Sequence, residues 1–306
     1  MQIFEKGSDV LLAPRPEFTF HLDPYIPASS IIMLYGRAGI GKTAVCWEMA
    51  HAIQNGLPVW GMPTNQTNVL FLELDTPFPL VAERWEKADP KFEPDFSIVF
   101  DDVSIDYRQF LTSYPDERHA NLIAKWGELH QRKQFGVVFV DALREVVAGD
   151  LSSSGIARRV YDAFKTVFPK ASIVFIHHER KSAADPRSTP DPLQAAAGSM
   201  EFINTAQVAL NFRRRGRDTW LDHGKTQASA EFEPLPISLR EDGTHVFHRQ
   251  AERFEIARKI IAENPTVGMR ELDKMIGEKL AMTERSARVI RLGLAQEGKV
   301  KNEGQG

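Results

Sequence analysis

From Ser30 to about Ile176 the chain alternates between two textures. Short apolar runs at Ile31–Tyr35, Val69–Leu74, Ile98–Phe100, Val137–Val140 and Ile173–Ile176 are near-continuous rather than alternating, as strands covered on both faces require. Between them, apolar residues recur at helical spacing. Val45, Met49, Ala52 and Ile53 share one helix face, which Asn55-Gly56 can terminate. Leu122, Trp126 and Leu129 make a second stripe, and Ile156, Val160, Ala163, Phe164 and Val167 a third, stopped by Pro169. Strand alternating with helix predicts an α/β fold built on a doubly wound, mainly parallel sheet.

After Ile176 the pattern changes. Residues 179–199 hold Pro186, Pro190 and Pro192 among small residues, which predicts a long functional loop. Val208–Phe212, Trp220–Asp222, Ile237–Leu239 and His245–Phe247 then predict short antiparallel C-terminal strands, the last two joined by a turn at Asp242-Gly243. Around Arg249 three helical patterns begin, dividing the chain into residues 1–248 and a small domain at 249–306. Phe254, Ala257, Ile260 and Ile261 mark its first helix, and Met269–Leu280, with Leu272 and Ile276, its second. Thr283 is an N-cap for a third, which exposes Arg285, Arg288 and Arg291, and Gln296–Val300 suits a turn into a wing strand. That is a winged-helix pattern, whose third helix would enter the DNA major groove.

Hydrophobic content of 42% and charged content of 26% fit a globular protein. The net charge of -3 excludes a wholesale basic nucleic-acid binder, so DNA contact must come from local patches. A single cysteine, Cys46, excludes an internal disulfide and points to a reducing, cytoplasmic setting. No apolar run reaches membrane-spanning length, and no signal peptide opens the chain.

The strongest chemical signal follows the first apolar run. GRAGIGKT, which is Gly36, Arg37, Ala38, Gly39, Ile40, Gly41, Lys42 and Thr43, fits the phosphate-binding P-loop, with Ala44 continuing into a helix. Its glycines let backbone N–H groups approach phosphate oxygens. Lys42 supplies charge for the β- and γ-phosphates of ATP, and Thr43 a hydroxyl for Mg²⁺. FGVVFVD ends in Asp141, a carboxylate at a strand tip that completes the metal site. VLFLELD places Glu73 and Asp75 two residues apart, on one face of a strand expected beside the P-loop strand. Either could orient the hydrolytic water; the alternative is that Asp75 merely begins the turn at Thr76-Pro77. SIVFIHH ends in His177 and His178, which point to opposite faces and cannot share a metal. One of them would sense the γ-phosphate, with His177 the cofactor-binding candidate, and the other would face the adjoining loop; the alternative is a purely structural role for either.

Together these residues resemble the RecA-like hexameric ATPases, most closely the plasmid RepA-type and DnaB-like replicative helicases and their phage and mobile-element relatives. The similarity runs from roughly Asp23 to His248, carried by DPYIP, GRAGIGKT, VLFLELDTP, Arg84, VVFVDALRE, SIVFIHHERK and QAAAGSMEFINTAQ. The resemblance implies a RecA-like P-loop core, ATP and Mg²⁺ bound at subunit boundaries, and a homo-oligomeric ring or hexamer threading single-stranded DNA. It places Lys42, Thr43 and Asp141 at the phosphate and metal positions. Asp75 falls where the family has its catalytic glutamate, a departure that leaves Glu73 as a substitute. The loops after Asp141 and His178 would face the channel, carrying Arg144 and then Arg180, Lys181 and Arg187. Lys225-Thr226-Gln227 keeps the lysine, but loses the arginine, of a Lys-x-Arg pair that reaches a neighbour's ATP. The run Arg213-Arg214-Arg215 with Arg217 is a substitute or a solvated turn. The stretch before Ser30 is too short for the N-terminal helical domain of the larger DnaB-type helicases. The function implied is a DNA-stimulated ATP-hydrolysing motor, a replicative helicase; the alternative is an ATP-gated DNA-binding regulator or initiator.

Overall fold

Each apolar run becomes a strand. β1 (Phe20–Leu22) and β2 (Ile26–Pro27) form a small antiparallel pair outside the main sheet. β3 (Ile31–Gly36), β4 (Asn68–Glu73), β5 (Ser97–Phe100), β6 (Phe135–Asp141) and β7 (Ser172–His178) follow. Buried along its whole length, β3 is covered on both faces. The computed structural model describes residues 19–59, 62–87, 95–100, 108, 117–147, 151, 155–178, 200–215, 218–227, 234–239, 245–247 and 250–280, then 284, 287, 288, 290, 291 and 294.

Helices fill the intervals: α1 (Lys42–Asn55), α2 (Phe78–Lys87), α3 (Glu117–Lys133) and α4 (Ile156–Val167), with a 3₁₀ turn at Leu143–Val146 after β6. α1 stops at Gly56, whose N–H returns to the carbonyls of Ala52 and Ile53. α5 (Met200–Thr205) leads into β8 (Val208–Arg215), β9 (Asp218–Thr226), β10 (Leu235–Leu239) and β11 (His245–Phe247).

One nine-stranded sheet results, in the order β5-β4-β6-β7-β3-β8-β9-β10-β11. Pairs from β5 through β8 are parallel, and those from β8 through β11 antiparallel. This arrangement fits a RecA-like P-loop core. It corrects one expectation: β4 is not beside the P-loop strand. β3 takes β7 and β8 as neighbours, leaving β4 on the far side of β6. The approach of β8 depends on Gly36, where an added Cβ would lie 2.6 Å from the Phe212 carbonyl oxygen.

Two apolar clusters cover the sheet. Alternate residues such as Ile32, Leu34, Phe71 and Phe139 pack under α1 and Val81 of α2. Met33, Leu72, Val140 and Phe175 pack on the other face with Trp126, Phe164 and Phe202 of α3, α4 and α5. Phe71 stacks on Phe139 with centroids 5.5 Å apart. No described helix is long and apolar enough to cross a membrane.

α6 (Gln250–Glu263) and α7 (Met269–Lys279) pack together, and residues 284, 287, 288, 290, 291 and 294 are helical. Ala257, Ile276, Leu280 and Ala287 form their own buried cluster, with Ile260, Ile261, Ile290 and Leu294 against it. The expected turn at Asp242-Gly243, the Thr283 cap and the wing at 296–300 lie outside the described residues.

Candidate active site

The P-loop joins the end of β3 to the first turn of α1. Gly41 is the helix N-cap at φ 97, a left-handed conformation that a Cβ disfavours. The first turn of α1 carries no acidic side chain, so its exposed N–H groups and positive dipole end are left for an anion. Lys42 is 4% exposed, and its ammonium donates to the carbonyls of Gly36 (3.0 Å) and Arg37 (2.9 Å). Gly36 is buried, Arg37, Ala38 and Gly39 are exposed, and Ile40, Gly41, Thr43 and Ala44 are half-buried, so the loop rim is open. Thr43 Oγ1 donates to Asp141 Oδ2 at 2.5 Å, joining P-loop and Asp141 strand directly.

Strand register brings the acids to the same edge. Glu73 on β4 lies opposite Asp141 on β6, and His178 on β7 opposite Gly36 on β3. Glu73 and Asp141 are 1% and 2% exposed. Burial, then the charge of Asp141, pushes the Glu73 carboxyl up to about 8, although its Oε1 accepts from the Thr76 N–H at 3.1 Å. Burial also raises Asp141 to about 6 against the opposing hydrogen bond from Thr43. Neither acid forms an ion pair among the described residues, and no donor among them reaches Glu73 Oε2.

Asp75 sits differently from expectation. β4 ends at Glu73, and the Asp141 carbonyl accepts the N–H groups of both Leu74 (2.6 Å) and Asp75 (3.1 Å), turning the chain. The two acids therefore do not share a strand face: Glu73 is in the sheet, whereas Asp75 is half-exposed just beyond it. A hydrogen bond from His178 is the main influence holding the Asp75 carboxyl below its usual value, with the charges of Lys42 and Arg84 adding to it.

The histidine facing this edge is His178 rather than His177. Its Nδ1 lies 3.2 Å from Lys42 Nζ and its Nε2 3.5 Å from Asp75 Oδ2. An ammonium only donates and a carboxylate only accepts, so the two ring nitrogens of His178 face groups of opposite character. His177 is buried, opposite Tyr35 in register and on the sheet face away from α1. Because both faces of β7 are covered, the chain offers no polar alternation from which to choose between the two.

Other expected residues divide three ways. Lys225 on β9 is already engaged: its ammonium meets the carbonyls of Ile203 (3.4 Å), Asn204 and Ala206 (2.9 Å), closing the C-terminus of α5 in its own chain. Arg213 pairs with Asp222 at 3.1 Å, which makes it a strand contact instead of a solvated turn. Arg144 is exposed on the 3₁₀ turn. Arg180, Lys181, Arg187, Arg217 and Arg285 lie outside the described residues. Arg288 is exposed, whereas Arg291 is not the free surface cation expected. It binds Asp273 of α7 through Nε (2.5 Å) and Nη2 (3.0 Å), with the pair 12% and 10% exposed. Ala287, Ile290 and Leu294 form the inward stripe of this helix, and position 291 falls on the same side.

Thr43 and Asp141 suit a magnesium ion, which needs few protein ligands and takes the rest of its shell from phosphate and water. Among the described residues no three His, Cys, Asp or Glu side chains form a metal cage, so any metal here would lean on a bound phosphate or on non-acidic oxygens. Residues 8–184, more than half of the chain, match the family model AAA_25, described as an AAA domain. A search of curated proteins finds no match.

Proposed function

The chain belongs to the AAA-domain family of ATP-hydrolysing P-loop proteins, and from that premise we propose that it is an oligomeric, DNA-stimulated motor, a replicative helicase of a plasmid, phage or other mobile element. The observation that carries this reading is the convergence of Lys42, Thr43 and Asp141 at the edge where β3 and β6 end. Residues 1–248 are the motor, and residues 249–306 a winged helix that contacts DNA through Arg288. ATP binds where subunits of a ring meet, and single-stranded DNA runs along the segments that carry Arg144, Arg180, Lys181 and Arg187.

Within the site, the amides opening α1 receive the phosphates, and Lys42 holds their terminal charge. Thr43 and Asp141 would hold Mg²⁺, which when bound supplies charge neutralisation on the β- and γ-phosphates. Asp75 orients the attacking water. It is half-exposed at the rim with its carboxyl held toward the ionised form, whereas Glu73 is buried in the sheet beside Asp141. Cleavage then shifts the DNA-contacting segments relative to the sheet.

The engagement of Lys225 with its own α5 favours a second reading, an ATP-gated DNA-binding regulator with slow turnover. ATPase and strand-displacement assays with Lys42→Ala as control separate the two. Lys42→Ala is expected to lose at least about a hundredfold in ATP turnover. Turnover at the parent rate in that variant refutes the site. Sequence-specific footprinting with no unwinding by the parent refutes the helicase and favours the regulator.

A further inference from the structure

We infer that Glu73, Asp141 and Thr43 form a divalent-cation site that fills before nucleotide arrives. The inference rests on the reading of Thr43 and Asp141 as metal ligands and adds a third group to them. A P-loop site with one carboxylate and one hydroxyl depends on phosphate oxygens to complete the shell of its metal. This chain places a second carboxylate directly across from the first, on the adjacent parallel strand and on the α1 face of the sheet.

Two observations indicate a cation there rather than a structural acid pair. Glu73 is 1% exposed, yet its Oε2 has no hydrogen-bond donor among the described residues, a costly state for a buried polar atom without a ligand. The second is the missing ion pair. Lys42 donates to the Gly36 and Arg37 carbonyls and lies 3.2 Å from His178, and although its charge draws Asp141 down, neither Glu73 nor Asp141 forms an ion pair among the described residues. Two buried carboxylates with no paired cation need a proton or a metal between them. Thr43 Oγ1, already 2.5 Å from Asp141 Oδ2, supplies a third oxygen. Three hard oxygens from two acids and a hydroxyl select magnesium or manganese, with water completing the shell.

The test uses the full chain, free of nucleotide, titrated with Mn²⁺ alone and followed by loss of the free-ion electron paramagnetic resonance signal. Saturable uptake by the parent is expected. Glu73→Gln should weaken it at least about tenfold, and Glu73→Asp should weaken it less. A fluorescent ATP analogue, added to the parent with excess Mg²⁺, checks that it binds nucleotide, and a circular dichroism melt checks that each variant still folds. No saturable Mn²⁺ uptake by a parent that does bind the analogue overturns the inference, as does unchanged uptake in Glu73→Gln. Mn²⁺ uptake without analogue binding sinks the nucleotide reading while leaving the cation site standing.

Discussion

Replacing Glu73 with glutamine should make the protein more stable when it is free of both nucleotide and divalent metal, and increasingly so as pH rises. Glu73 titrates near 4.5 when unfolded and about 8 in the fold, because burial and the charge of Asp141 both oppose ionisation. Between those values the folded chain holds a proton that the unfolded chain has released, so stability falls as pH increases through that window. The whole rise is worth on the order of 5 kcal/mol if the group acts alone, and less where Asp141 shares the titration. From pH 6 to pH 8.5 the parent should lose roughly 2–3 kcal/mol through this group. Glutamine keeps the shape and an acceptor for the Thr76 N–H but has no charge to bury. Urea unfolding followed by tryptophan fluorescence, at pH 6, 7 and 8.5 with chelator and without nucleotide, measures both slopes. Parallel pH profiles for parent and variant would refute the assignment of a strained, proton-holding Glu73.

Other sites give further expectations. Gly36→Ala should destabilise the core by about 1–3 kcal/mol, since the new Cβ would lie 2.6 Å from the Phe212 carbonyl oxygen and 2.7 Å from its Cβ; an unchanged urea midpoint would refute that close approach. Arg291→Ala should cost the C-terminal helices roughly 1–3 kcal/mol by leaving Asp273 unpaired. Arg288→Ala should leave the melt within about 0.5 kcal/mol and lower the salt slope of DNA binding by about one. Reversed effects for the two arginines would overturn the helix orientation. Lys225→Met should speed amide exchange in α5 by uncovering its last carbonyls, at a stability cost of about 1 kcal/mol; unchanged exchange there would show that the lysine is not its cap.

Local periodicity made much of the fold legible. The stripe of Val45, Met49, Ala52 and Ile53, and the stop at Gly56, lie within α1, and helix geometry alone sets their spacing. Strand order was not legible in the same way. Which strand lies beside β3 is decided by how the crossovers pass and by approaches such as that of Phe212 to Gly36, between residues far apart in the chain. The buried strands hid side-chain direction too. With Ile173 to Ile176 covered on both faces, nothing in the sequence tells which of His177 and His178 faces the P-loop. Arg291 is a different failure: the spacing of Ala287, Ile290 and Leu294 does place it inward, but arginines three apart read more loudly as a basic face.

The site's charges explain why those details matter. Donors converge from one side, where α1 opens and the ammonium of Lys42 meets the Gly36 and Arg37 carbonyls and the His178 ring. Acids converge from the other, where Glu73 and Asp141 are stripped of water and rise toward neutral pH instead of finding a cation. A nucleotide alone would answer the donors and worsen the acids; a cation alone would do the reverse. Only the pair satisfies both halves, so binding of phosphate and of divalent metal should be mutually favourable, each tightening the other by the same factor. His178 joins the halves, touching Lys42 with one nitrogen and Asp75 with the other. A phosphate that draws Lys42 away from it would change the surroundings of Asp75, the carboxylate proposed to orient water, and would carry the linkage from binding into catalysis.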